Sequence, residues 1–438
     1  MKRWWMVAVV AFALVAAACT GGDEGDGNGD GGTGSNGVTN IVLWHGYGTL
    51  QGDPDAEWQS LLDLVEEFNN THPDIHVESI RCCSNDKALE KVTIALQGDE
   101  APDITYQYGS SLPQLAAAPG LVDLTSWTQE PDVQWDDFIA GAREAGTFEG
   151  KVLGVPALID NLAIVYNREL FDAAGVAYPT ADWSWDDFRA AAAALTDPAT
   201  QTFGFAFPAD ASEDTVWHFD PMLWQAGGSI LSEDGTQAAF NSEAGVRALE
   251  VLRAMAVDDQ SIYLDLQNAR IGDLFNAGKV GMVITGPWDL SSFPDVDYGV
   301  EVLPGFDGDH QTIAGPDFWA VFDNGDARKQ AALEFLQWFT APEQIQADSL
   351  ANGHLPVRTS VIDASGFTDQ LESTFPGVGA FAQNLTNVQQ ARPVIATYPQ
   401  VSVAMGEAVV AAMLGEKTPQ QALDDAANEV NDILALPA

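Results

Sequence analysis

The amino-acid sequence predicts an α/β fold, and three observations carry that prediction. Short apolar runs of strand length alternate with amphipathic helical patterns from Val38 onward, as in sheets covered by helices on both faces. The chain has 438 residues, too many for one ordinary core, so roughly two or three domains are expected. Its 46% hydrophobic and 19% charged residues are those of a folded globular protein, and no fixed-period repeat points to a solenoid or propeller.

The first residues read as an address rather than structure. Lys2 and Arg3 precede an apolar run from Trp4 to Ala17, and Ala16-Ala17-Ala18 lead into Cys19, the layout of a secretory signal peptide over residues 1–18. The run is too short for a comfortable membrane span. A cysteine at the cut is similar to the lipobox of bacterial lipoproteins, although Ala16 stands where that motif usually has leucine. That resemblance implies lipidation of Cys19 and an exported protein held on the outer face of the cell membrane. Residues 19–37, with "TGGDEGDGNGDGGTGSNG" from Thr20, contain no apolar side chain after the cysteine and are expected to form a disordered Gly/Asp linker. Asp26, Asn28, Asp30 and Gly31 match the opening of a calcium-binding loop, but Gly37 stands where the bidentate Glu is needed, so the match is read as coincidence.

The strand candidates then follow in order. "IVLW" (Ile41 to Trp44) is a buried-strand run, and Asp53-Pro54 supplies an N-cap and a first-turn proline for a helix with Trp58, Leu61, Leu62 and Val65 on one face. "IHVESI" from Ile75, "DITYQY" after Pro102, "AIVY" from Ala163, "FGFAF" from Phe203, "VGMVI" from Val280, "VEVL" from Val300 and "FWAVF" from Phe318 continue the series. Between them, Asp326 to Thr340 repeats Ala332, Phe335, Leu336 and Phe339 at helical spacing, and Thr418-Pro419 opens a helix with Leu423, Ala426, Ala427 and Val430 inward.

Charge narrows the partners. Against 18 Lys and Arg stand 64 Asp and Glu, a net charge of −46, so the folded part should repel nucleic acid and anionic lipid; the acidity itself reads as solubility or adaptation to salt. No G-x-S-x-G, H-E-x-x-H or metal-spaced His/Cys cluster is present, and no cofactor or metal is expected.

The order of motifs resembles one family, the extracytoplasmic solute-binding proteins of bacterial ABC importers, in their carbohydrate-binding, maltose-binding-protein-like group. The motifs are "LWHG", "EEFNNTHPDIHV", "LQGDEAPDIT", "GLVDLTSW", "GKVLGVPALIDNLAIVYNRELFDAAGV", "WSWDDF", "FNAGKVGMVITGPW", "VLPG", "FLQWFTAPEQ", "GHLPVR" and "GEKTPQQALDDAANEVNDIL", spread over nearly the whole mature chain. The resemblance implies a periplasmic-binding-protein-like type II architecture: two α/β lobes with a central ligand cleft and multiple hinge crossings. Carried onto this sequence, it implies an N-terminal lobe of 38–153 plus 318–357 and a C-terminal lobe of 155–316 plus 358–438, with crossings at "LGVP", Gly315-Pro316 and "GHLPVR". It also implies a monomer that closes on a mono- or oligosaccharide and delivers it to permease transmembrane subunits, binding without turnover.

A sugar offers hydroxyls to planar polar groups and C–H faces to aromatic rings, so its cleft needs both. Trp288, after the Gly-Pro turn, corresponds to a sugar-stacking indole in that family; a buried turn anchor is its structural alternative. Trp217 falls where the family often has a second stacking aromatic, and Trp224 is expected inside a helix. Asp160 and its companion Asn161 follow the first crossing, where relatives hold ligand hydroxyls; a solvated loop acid is the competing reading. Of Gln107 and Tyr108, which alternate at a strand end, the resemblance turns Gln107 to the cleft. His45, Tyr47, Phe318, Trp319, Arg392 and Tyr398 complete the expected ligand-binding set, while Met405 replaces a late stacking Trp and argues against a maltodextrin-length site. Cys82 and Cys83 are expected beside the ligand either as a vicinal disulfide, since export oxidises thiols, or as a buried reduced pair.

Two other functions stay open from the residues. A secreted glycoside hydrolase would also use cleft Trp residues and paired carboxylates. The same fold could bind a glycerophosphodiester or another sugar phosphate, which needs convergent cations such as Arg358 and Arg392.

Overall fold

The computed structural model describes residues 37–48, 54–98 and 100–436. The signal-like segment 1–18, Cys19 and the linker to residue 36 lie outside the described residues.

In chain order the strands are β1 (Thr39–His45), β2 (Ile75–Arg81), β3 (Ile104–Tyr108), β4 (Thr147–Phe148), β5 (Lys151–Val152), β6 (Val155–Asn161), β7 (Ala163–Asn167), β8 (Phe203–Pro208), β9 (Ile262–Asp265), β10 (Val280–Thr285), β11 (Tyr298–Glu301) and β12 (Ala314–Val321). Two five-stranded sheets carry the fold, ordered β2-β1-β3-β12-β6 and β11-β7-β10-β8-β9, and β4-β5 is a small hairpin. In the first sheet β1 pairs parallel with β2 and β3, and β12 runs antiparallel to β3 and β6. In the second, β10 is parallel to β8 and antiparallel to β7.

Helix Ala56–Thr71 shows how the local sequence makes this architecture. Asp55, not Asp53, is the N-cap, accepting from the Trp58 N–H at 3.0 Å, so the helix starts two residues later than the Asp-Pro pair suggested. Its buried seam is Leu61, Leu64, Val65 and Phe68, with Leu62 turned partly outward. Phe68 meets the Phe335 ring edge-on at 5.0 Å, joining this helix to Asp326–Phe339, and burying each such side chain contributes about 1.5–3 kcal/mol.

The sheet change falls elsewhere than expected. Val155–Asn161 and Ala314–Pro316, placed by the resemblance in the second lobe, pair with one another in the first sheet, so the chain changes sheets at Leu162. All seven residues of β6 are buried, which removes the alternating pattern by which a strand is recognised, and its Pro156 is tolerated because β6 is the edge of the sheet. The strand expected from Val300 begins at Tyr298, where it pairs with Asn167. Around the second sheet, Trp185, Phe205, Phe207 and Trp224 fill a core, and helix Tyr398–Met413 packs on Glu213–Gln225 and Pro419–Leu434.

Candidate functional site

The two sheets meet where β6 hands the chain over to β7 and where it returns from β11 into β12, and the carboxyl end of β3 faces the second sheet's helices there. Tyr108 ends β3, and its hydroxyl lies 3.4 Å from Asp86. Burial, then Asp214, Asp210 and Glu213 of the second lobe, push the Asp86 carboxyl up to about 7. Helix Tyr398–Met413 also reaches the turn Gly109–Ser111. This line of contacts joins the two sheets' layers.

On the second-lobe side stands Trp288. Its half-buried indole folds back over Gly286 so closely that a Cβ there would lie 1.9 Å from the Cζ3 atom, which explains why glycine opens the Gly-Pro-Trp turn. The ring lies 6.5 Å from that of His354, with 34° between their planes. His354 in turn is held by Asp160 through Nδ1 and by Glu57 through Nε2 at 3.1 Å. Burial opposes its charge, but Asp160 and Glu57 together hold its pKa well above the usual histidine value.

In the same lobe, Arg392 donates to Glu213 at 2.8 Å, and its guanidinium sits 4.6 Å from the Trp217 ring. The Tyr398 hydroxyl donates to the same Glu213 oxygen at 3.2 Å, and Ser402 donates to the other. Trp217 is 8% exposed, with one face given to Arg392 and its rim against Gly315, where a Cβ would come within 2.6 Å. Nearby Asp317 of β12 accepts from the Tyr106 hydroxyl at 2.6 Å and the Gly109 N–H at 3.0 Å; burial raises it to about 6 against the pull of Arg392.

Other expected residues take structural places. Asp160 accepts from the Leu355 N–H at 3.0 Å besides binding His354, and so pins the crossing segment rather than waiting in solvent. Asn161 donates to the Phe381 carbonyl and accepts from Asn384, both at 2.9 Å. Gln107, expected to face the cleft, is 1% exposed between Thr105 and Ser111, and strand alternation turns Tyr108 across instead. Phe318 and Trp319 lie on opposite faces of β12, and both are core: Phe318 against Gly154, Trp319 among Tyr47, Tyr106 and Phe339. Tyr47 belongs to that aromatic cluster, 5.0 Å from Tyr106. His45 ends β1 with Nδ1 accepting from the Tyr47 N–H at 3.1 Å; burial and then Arg81 push its pKa down to about 4, and its Nε2 has no partner among the described residues.

Cys82 and Cys83 follow β2 as free thiols with their sulfurs 2.6 Å apart, and the Cys82 sulfur lies 3.6 Å from the His45 carbonyl oxygen. Among the described residues no group of three His, Cys, Asp or Glu side chains is arranged to hold a metal ion. The residues that sequence reasoning missed are Glu57, Asp86, Glu213, Asp317 and His354. Glu57 and Glu213 carried a local signal, each standing in the first turn after a helix N-cap, Asp55 and Ser212; the others matter through neighbours distant in the chain.

Residues 63–374 match the family model described as bacterial extracellular solute-binding protein. An ABC substrate-binding protein of Listeria monocytogenes, solved with cycloalternan, superposes with a TM-score of 0.81 at 27% identity, covering 91% of this chain and 99% of that one. The cyclic alpha-maltosyl-1,6-maltose binding protein of Arthrobacter globiformis superposes with a TM-score of 0.71 at 29% identity over 91% and 99%. The sn-glycerol-3-phosphate-binding periplasmic protein of Yersinia enterocolitica is 23% identical over 422 residues, 91% of this chain and 92% of that protein.

Proposed function

The chain belongs to the bacterial extracellular solute-binding proteins, and from that membership we propose that it is the substrate-binding component of an ABC importer, closing two lobes over a mono- or oligosaccharide. The observation that carries the reading is the half-buried indole of Trp288, folded over Gly286 at the boundary of the two sheets and set beside the ring of His354. An aromatic face with carboxylates near it suits a ring that is apolar on its C–H side and hydroxylated at its rim. The cycloalternan-bound and cyclic-maltosyl-maltose-binding relatives support the same ligand class.

Family membership places the protein outside the cytoplasm. The finer parts of the reading are a signal peptide over 1–18, lipidation of Cys19 as a membrane anchor, the linker to residue 37, a monomer that docks on permease transmembrane subunits, and binding without catalysis. The lobes are taken as 38–161 plus 314–357, and 163–312 plus 358–436, with the cysteine pair at the rim of the first. A second reading, a glycerophosphodiester or sugar phosphate in the same cleft, draws on the Yersinia relative and on Arg392 at the boundary.

Calorimetric titration and thermal shift against neutral saccharides, sugar phosphates and glycerophosphodiesters test these readings, because a ligand that binds only the folded state raises the melting temperature. Saturable binding of a saccharide with no released reducing sugar is the expected result. Silence across the saccharides, or turnover of a glycan, defeats the proposal.

A further inference from the structure

We propose that Glu213 is a specificity-determining residue: as the built-in counter-ion of Arg392, it makes the cleft accept uncharged saccharides and refuse phosphorylated ones. The inference rests on the saccharide reading above and narrows it.

The pair lies at the sheet boundary. Trp217, under the Arg392 guanidinium, packs on Gly315 of β12, and Tyr108 at the end of β3 lies within the field of Glu213. Arg392 and Glu213 have side chains only 6% and 15% exposed and meet at 2.8 Å. Glu213 is held in place by the hydroxyls of Tyr398 and Ser402, themselves buried. The carboxylate thus neutralises the charge that a phosphate would otherwise use, and an anion that approaches the remaining guanidinium N–H groups meets a buried, hydrogen-bonded carboxylate beside them.

Three other cations are already engaged. Arg358 is 2% exposed and donates to the carbonyls of Val133 and Gln134 at 3.1 and 3.2 Å and to Asp137. Arg81 donates to the carbonyls of Tyr47 and Gly48. His354 is shared between Asp160 and Glu57. What remains along the boundary is acidic, since Asp86 feels Asp210 and Asp214 from across it. A neutral hydroxyl loses nothing there: it donates to a carboxylate and accepts from the guanidinium while the pair stays whole.

The test titrates the full chain, Glu213→Gln and the double variant Glu213→Gln/Arg392→Gln with sn-glycerol 3-phosphate, inorganic phosphate and a neutral saccharide panel that includes maltose. Glu213→Gln is expected to gain phosphate affinity by at least about tenfold over the unaltered protein, with an affinity that falls as salt is added, and the double variant is expected to lose that gain. Equal phosphate binding by the unaltered protein and Glu213→Gln, or a gain that survives loss of Arg392, overturns the inference. Circular dichroism and melting curves check the fold. Should Glu213→Gln not fold, Tyr398→Phe/Ser402→Ala loosens the same carboxylate without removing it; a smaller gain supports the inference and no gain overturns it. Saccharide binding by the unaltered protein without any phosphate gain in the variants defeats only the role of Glu213, whereas no saccharide binding at all defeats the saccharide reading itself.

Discussion

Replacing Asp86 with Asn should stabilise the protein, and by an amount that depends on pH. Asp86 is half-buried, and burial followed by Asp214, Asp210 and Glu213 carries its carboxyl from 3.8 to about 7. A group whose folded pKa lies above its unfolded one favours the folded state only while protonated, so its cost to stability begins near pH 4, grows through the window between the two values and levels off above about pH 7. At about 1.4 kcal/mol per pH unit the full cost approaches 4 kcal/mol at pH 8 and is about 0.5 kcal/mol at pH 4. Partial exposure reduces the value at pH 8 to about 2–4 kcal/mol. Asn is isosteric, never ionises and can still accept from the Tyr108 hydroxyl. Guanidinium denaturation of both proteins at pH 4.5 and pH 8 measures the difference. A gain of the same size at both pH values, or a loss at pH 8, refutes the argument that burial, reinforced by Asp214, Asp210 and Glu213, holds the Asp86 carboxyl up.

Two further outcomes follow from packing. Gly286→Ala should displace the Trp288 indole, because the new Cβ would fall 1.9 Å from it, and should weaken saccharide binding by about tenfold or more; the backbone at Gly286 is extended and open to alanine, so melting should change little, and unaltered calorimetric affinity would remove Trp288 from the site. Arg358→Met should destabilise the protein by about 3–5 kcal/mol, since it strips three carbonyls and Asp137 of their donor and removes the stack on Phe138 at 3.8 Å, which chemical denaturation would read.

Particular residues show where sequence reading reaches and where it stops. The "FNAGKVGMVITGPW" stretch was legible because each signal in it is local: apolar run, glycine, proline and indole are neighbours in the chain, and Gly286 and Trp288 explain one another. Helices such as Asp326–Phe339 and Pro419–Leu434 were legible for the same reason, their buried faces being written at helical spacing. Strand β6 was not, because a strand covered on both sides has no alternation to read.

By itself, then, the sequence determined the fold class, the family and the chemical types gathered for the site, since these depend on periodicity, composition and the order of short motifs. Only the tertiary structure decided which of those types reach the cleft. Glu213 and Arg392 are 179 positions apart, and Asp160 and His354 are 194 apart. Whether a buried charge is free for a ligand or already neutralised depends on such distant partners at a few ångströms, a relation that no local pattern encodes.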